Sequence, residues 1–285
     1  MTDKPTTAAG YRNVQVELVR ATCLYVATKL GDLMDELVVI GGLVPSLLIG
    51  ESELPPQSAA HVGTMDLDLG LTLTLLDEGR YRTLTERLRR AGFEQDINEE
   101  GNPTRQRWKI ERREKVTVDF LIQPSLSDDR GGKLRNIERD FAAVIAPGLH
   151  LAFQDRERVA LSGQTILGEQ ATRQVWVCGP GAYVVLKSLA FRSRGENKDA
   201  YDLYYVVRHF GSGVDDVAAR LRPLRDDACA REALELLEQD FLEHEGIGPR
   251  RVAVFIVGGA DNEIQADVVG FVRRLVDATR RGSRG

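Results

Sequence analysis

The stretch Gly63-Thr64-Met65-Asp66-Leu67-Asp68-Leu69-Gly70-Leu71 is where residue types and spacing first suggest chemistry. Read as a strand, it places Asp66 and Asp68 on one face and Met65, Leu67, Leu69 and Leu71 on the other, because side chains two apart point the same way. Two carboxylates this close repel, and each resists ionising unless a cation lies between them. Hard oxygen donors favour magnesium or manganese. A strand with one wet face carrying two aspartates is the plainer alternative. Asp119 raises the same question, since it interrupts the apolar run Val116-Thr117-Val118-Asp119-Phe120-Leu121-Ile122. Asp is disfavoured in strands and costly to bury unpaired, so it needs a metal, an Arg or Lys, or a set of hydrogen bonds. Leu37-Val38-Val39-Ile40 closes on Gly41-Gly42, and a helix is expected from Leu43 to Ile49 with Pro45 in its first turn. Such a turn lets backbone N–H groups approach a phosphate, although a tight turn needs no phosphate to explain it.

Stepping outward to the elements that hold these residues, periodicity predicts a helix over 12–30, an Arg-rich helix from Asp77 to Ala91 and a hairpin of Arg105–Ile110 with Lys115–Ile122. Residues 130–147 read as polar and irregular with one short helix, and Arg158–Leu161, Gln164–Leu167 and Val175–Cys178 as short strands. Gly179-Pro180-Gly181 opens a helix, Ala182 to Arg192, carrying Lys187. The next, Lys198 to Phe210, sets Asp199 and Asp202 on nearly one face. Lys187 could equally snorkel at the surface, and the two aspartates could simply solvate a helix start. Two helices over 214–243, a strand over Arg251–Val257 and a final helix from Asp261 to Thr279, capped by Asp261, complete the reading. The expected organisation is α+β: a mixed sheet flanked by helices over residues 1–150, then a mainly helical lobe over 151–285.

At 285 residues, 42% hydrophobic and 28% charged, the chain can bury a core across two lobes. Its net charge of -5 argues against a wholly basic nucleic-acid binder. Basic residues nevertheless cluster at Arg80/Arg82/Arg87/Arg89/Arg90, Arg105/Arg107/Lys109/Arg112/Arg113/Lys115, Lys133/Arg135/Arg139 and from Arg273 to Arg284. Cys23, Cys178 and Cys229 lie far apart, without CxxC or ligand-spaced His, which fits a reducing cytoplasm. No signal pattern or bilayer-length apolar run is evident, so no membrane association is expected. His61, His150, His209 and His244 are scattered, and Ser46 and Ser188 lack a His partner, so neither a His metal cluster nor a hydrolase triad is expected.

The order of motifs, namely a strand with Gly41-Gly42, a helix, Asp66-x-Asp68, a hairpin strand with Asp119 and a later helix with Lys187, resembles the nucleotidyltransferase superfamily that shares the polymerase-beta catalytic core. The wording Thr64-x-Asp66-Leu67-Asp68, the long gap after Gly42, and Lys187 followed by Lys198-Asp199-x-x-Asp202-Leu203 resemble its AbiEii/MenT-like branch, bacterial toxin nucleotidyltransferases. The resemblance spans roughly 38–210. It implies that Gly41 and Gly42 line an NTP triphosphate and that Asp66, Asp68 and Asp119 hold two Mg2+ ions, with Mn2+ a substitute. It further implies that Asp119 activates the acceptor hydroxyl, that Thr64 touches a phosphate, that Lys187 neutralises the triphosphate and that Asp202 supports Lys187. Many relatives have Arg where this chain has Gly63, leaving Arg192 or Lys198 as replacements. The implied activity is transfer of NMP from NTP to an acceptor, the tRNA 3' end, by a toxin with a cognate antitoxin. The alternatives are transfer to an aminoglycoside-like small molecule or a protein side chain, or a non-catalytic nucleotide-binding regulator.

Overall fold

The computed structural model describes residues 4–56, 58–72, 78–111, 114–138 and 140–281. The expected helix start at Asp77 and the basic residues Arg112, Arg113, Arg139 and Arg284 lie outside the described residues. In chain order the elements are α1 (Asn13–Leu30), β1 (Leu37–Ile40), α2 (Val44–Leu48), β2 (Asp66–Leu71), α3 (Glu78–Arg90), β3 (Glu94–Ile97), β4 (Pro103–Glu111), β5 (Lys115–Ile122), β6 (Leu134–Glu138), β7 (Phe141–Ile145), α4 (Leu151–Gln154), β8 (Arg156–Gln164) and β9 (Gln170–Cys178). Then follow α5 (Pro180–Arg194), α6 (Asn197–His209), α7 (Val214–Leu221), α8 (Ala228–Phe241), α9 (Ile247–Val257) and α10 (Asn262–Arg281). The fold is α+β, a mixed sheet with flanking helices and a helical region after it.

Two compact units divide the chain. The first combines Asn13–Val44 with Gly63–Cys178, the second Lys4–Arg12, Pro45–Val62 and the chain from Gly179 on. The division after the sheet thus falls at Gly179, whereas the sequence suggested a place near residue 150. The reason is pairing: β8 and β9 form a long antiparallel hairpin, and β9 joins β1 in parallel at Val39 and Val177.

The first unit is organised by its sheet, ordered β3-β4-β5-β2-β1-β9-β8, with β7 pairing to β5 and β6 to β7. β2 is antiparallel to β1 and parallel to β5. Alternation does the sorting: Leu67, Leu69 and Leu71 of β2 and Val116, Val118, Phe120 and Ile122 of β5 are buried. Each such side chain contributes about 2 kcal/mol of burial. A one-residue slip would put the aspartates in the apolar layer, so this pattern fixes the register. Helix α1 buries Val19, Cys23, Val26 and Leu30 on one stripe and packs on β8 and β9.

Two expected elements differ. Residues 130–147 contribute strands β6 and β7 instead of a short helix, because Phe141, Ala142 and Ala143 are buried where β7 pairs with β5. Tertiary pairing overrides weak local propensity there. Arg251–Val257 belongs to helix α9, with Gly248, Val252 and Phe255 buried at helical spacing and Gly258 (φ 80) ending it. A short apolar run cannot by itself separate a strand from a buried helix. Gln164–Leu167 leads into the turn between β8 and β9 instead of forming a separate strand.

In the second unit α6 is the central helix, packed against α5 and α9. Every residue from Lys198 to Val207 is buried, so its charged side chains are enclosed along with its apolar ones. Helix α5 starts with Pro180 in its first turn and ends at Gly195 (φ 66). As the sequence suggested, Asp261 caps α10, its carboxylate accepting from the N–H groups of Glu263 and Ile264. No helix among the described residues is long and apolar enough to cross a membrane.

Candidate active site

Strand order and register bring Ile40, Asp68, Asp119 and Arg107 into one row across β1, β2, β5 and β4. Asp68 stands opposite Asp119 because β2 and β5 run parallel, and Asp66 lies two residues earlier on the same face of β2. Ligand atoms of Asp66, Asp68 and Asp119 all lie within 4.8 Å of one another. Asp66 and Asp119 are buried, while Asp68 is half-buried. These three predicted residues therefore meet, as the two-residue spacing and the interrupted strand suggested.

Gly41 has φ 71, and a Cβ added there would overlap the Asp68 carboxylate. Only glycine fits this position, on both conformational and steric grounds. Helix α2 beyond it has five residues, so the turn offers close backbone approach and no extended helix dipole. Buried Gly42 continues the turn. The Thr64 hydroxyl donates to Asp66 Oδ1 at 3.0 Å and so orients a carboxylate. Gly63 (φ 79) abuts α1, where a Cβ would overlap Val16, so no larger side chain, arginine included, has room at this position.

Arg107 was read in the sequence only as one of a basic cluster. Its Nε donates to Asp119 Oδ1 at 2.7 Å and its Nη2 to Oδ2 at 2.6 Å. Arginine pairing, weighed as the simpler explanation of Asp119, is thus present. The bond to Asp119 holds the guanidinium's pKa above its ordinary value against the opposing effect of burial, and the charges of Asp66 and Asp68 add to it. The available signal was alternation: Arg105, Arg107 and Lys109 share one face of β4, while buried Trp108 and Ile110 share the other.

The donor set fits a hard divalent cation. The three converging carboxylates offer the oxygens that Mg2+ or Mn2+ takes, although both oxygens of Asp119 also accept from Arg107.

The second unit holds Lys187 and Asp202. Lys187 is buried, contrary to a snorkelling role, and its Nζ donates to Asp199 Oδ1 at 2.9 Å and Asp202 Oδ2 at 2.7 Å. Burial would lower its pKa, but the two carboxylates more than offset that and raise it. Asp202 also accepts from Lys198 Nζ at 2.7 Å, and Asp199 from Arg194 Nη2 at 2.8 Å. Burial would raise the pKa of Asp202, yet Lys187 and Lys198 hold it well below the carboxylate range. Lys198 is thereby engaged, whereas Arg192 is exposed and lies 3.8 Å from Asp240, an ion pair worth little.

His61 was not expected to matter. It is buried with Nε2 2.8 Å from Asp202 Oδ1 and stacks on Tyr201 at 5.3 Å. Burial lowers its pKa to about 4, so the ring is neutral and its Nε2–H donates to the carboxylate. Separated from Asp202 by 141 residues, it left no local signal in the sequence.

No protein-family model and no curated protein matches the chain. Among solved structures, it is similar to the crystal structure of an antigenic nucleotidyltransferase-like protein from Paracoccidioides brasiliensis. Identity is 16% and the TM-score 0.42, over 78% of this chain and 88% of that one. Likeness at that level leaves function to be argued from the side chains.

Proposed function

We propose that the protein is a divalent-metal-dependent nucleotidyltransferase, moving a nucleoside monophosphate from an NTP to a hydroxyl acceptor and releasing pyrophosphate. The observation carrying this reading is the convergence of Asp66, Asp68 and Asp119 within 4.8 Å. A glycine turn against Asp68 supports it. Asp66 and Asp68 would hold Mg2+ or Mn2+, with Asp119 joining them. Bound there, the ions supply Lewis-acid neutralisation of phosphate charge and acidify an attacking hydroxyl.

The chain's own residues do the rest. Gly41 and Gly42 give the triphosphate backbone room, and Thr64 keeps Asp66 oriented. A carboxylate oxygen of Asp119 accepts the proton from the acceptor hydroxyl, whose oxygen attacks the α-phosphorus as the bond to the bridging oxygen breaks. We assign Lys187 to neutralising triphosphate charge and Asp202 to holding Lys187, on the sequence resemblance. The same resemblance supports the tRNA 3' end as acceptor, a toxin's role in the cytoplasm and a cognate antitoxin as partner.

The test is label transfer: protein, Mg2+, each α-labelled NTP in turn and total bacterial tRNA, beside Asp66→Ala and Asp68→Ala. Label on tRNA that is lost in both variants is expected. Label on an aminoglycoside or on protein instead would keep the chemistry and replace the acceptor. Absence of transfer to any acceptor, with nucleotide binding intact, would leave only the regulator.

A further inference from the structure

Of the three basic residues on one face of β4, Arg107 stands opposite Asp119, whereas Lys109 stands opposite Thr117. The Arg107 fork engages both oxygens of Asp119, with side chains 23% and 12% exposed respectively. A fixed guanidinium beside a carboxylate opposes any dication seeking the same carboxylate, and more strongly where water is scarce. Without a metal it serves the opposite purpose, offsetting the mutual repulsion of three converging carboxylates.

We propose that Arg107 is a resident counter-cation that a divalent ion must displace from Asp119. This rests on the metal-dependent reading above. Arg107 is then a positioning residue. It keeps the empty carboxylates gathered at the expense of metal affinity, and once displaced it leaves Asp119 able to ligate. Two effects compete when it is removed: relief of repulsion tightens metal binding, and loss of orientation at Asp119 weakens it. The register predicts that relief prevails, because strand pairing with β2 and β4 fixes Asp119 whether or not the fork is present.

The test is Mn2+ titration of the full chain without nucleotide, reading the free ion by electron paramagnetic resonance, for wild type, Arg107→Gln, Arg107→Lys and Arg105→Gln. Arg107→Gln is expected to bind Mn2+ about tenfold tighter than wild type, the scale of removing one partly screened unit charge beside the ion. Arg107→Lys keeps the charge, loses the fork and is expected to fall between them. Arg105, which bonds Asn136, controls for general charge, and Arg105→Gln is expected at wild-type affinity. Equal or weaker binding by Arg107→Gln overturns the proposal. Should that variant fail to fold, the Arg107→Lys comparison decides, tighter binding supporting the proposal and unchanged binding overturning it. If wild type binds Mn2+ and no Arg107 variant binds it tighter, only the role of Arg107 fails. If wild type and the Arg107 variants all bind none, the metal-dependent reading fails with it.

Discussion

In the sheet, Asp66, Asp68 and Asp119 gather with the guanidinium of Arg107 on one of them, and Asp68 stays half-open to solvent. In the helical unit, Asp199 and Asp202 are enclosed with Lys187, Lys198, Arg194 and His61 around them. Both clusters come from the same kinds of side chain, but the balance differs. Carboxylates outnumber the cation among the named residues of the first, and cations outnumber carboxylates in the second. Asp68 of the first cluster is reached by water, whereas the second is enclosed and its ion pairs hold its own helices together. Proximity of charged groups therefore says less about chemistry than how far water reaches them.

The sharpest way to break the comparison is to remove one carboxylate from each cluster. Asp202→Ala strands the buried ammonium of Lys198 and takes one of two carboxylates from Lys187, and is expected to lower stability by about 3–5 kcal/mol, read as a shift in the urea midpoint. Asp68→Asn is expected to leave the midpoint unchanged or higher, because it relieves repulsion. The same change is expected to reduce nucleotide transfer on the order of 10³-fold, as loss of one charge-stabilising group does. If Asp68→Asn proved as destabilising as Asp202→Ala, the two clusters would not differ as argued. Gly41→Ala combines a positive φ with overlap on Asp68, and thermal melting is expected to show a loss of about 1–3 kcal/mol together with weakened Mn2+ binding.

The smallest effect is a pH dependence belonging to the closed cluster. Burial lowers the pKa of His61 to about 4, and that of His209 also to about 4, against about 6.5 unfolded. The unfolded chain therefore binds more protons between these values. The stability these rings contribute is fully present above pH 6.5 and declines as pH falls toward 4, with enclosed His61 contributing more than half-exposed His209. His61→Gln is expected to remove the larger part of that slope in urea midpoints measured from pH 7 to 4.5. An unchanged slope would mean that His61 is already protonated in the folded state.

What could be read from the sequence was whatever repeats along the chain. Alternation set Asp66 and Asp68 against Leu67 and Leu69, and Gly41-Gly42 marked the turn against them. What could not be read was pairing between distant segments. Arg107 was one arginine among many until β4 was placed beside β5, and His61 met Asp202 only through the tertiary fold. The same cause explains the missed strands β6, which is mostly polar, and β7, whose alanines carry little β signal, and helix α9, whose run of Val, Phe and Ile imitates a strand.

The row of Ile40, Asp68, Asp119 and Arg107 has a consequence for the order of assembly. Hairpins such as β4 with β5 close over a few residues and form early, but β2 meets β5 only after a loop of about fifty residues has closed, which is entropically costly and slow. During synthesis Asp66 and Asp68 leave the ribosome long before Asp119, and β9, which seals the other side of β1, emerges later still. The nascent chain thus carries its carboxylates apart, and their convergence marks completed long-range pairing.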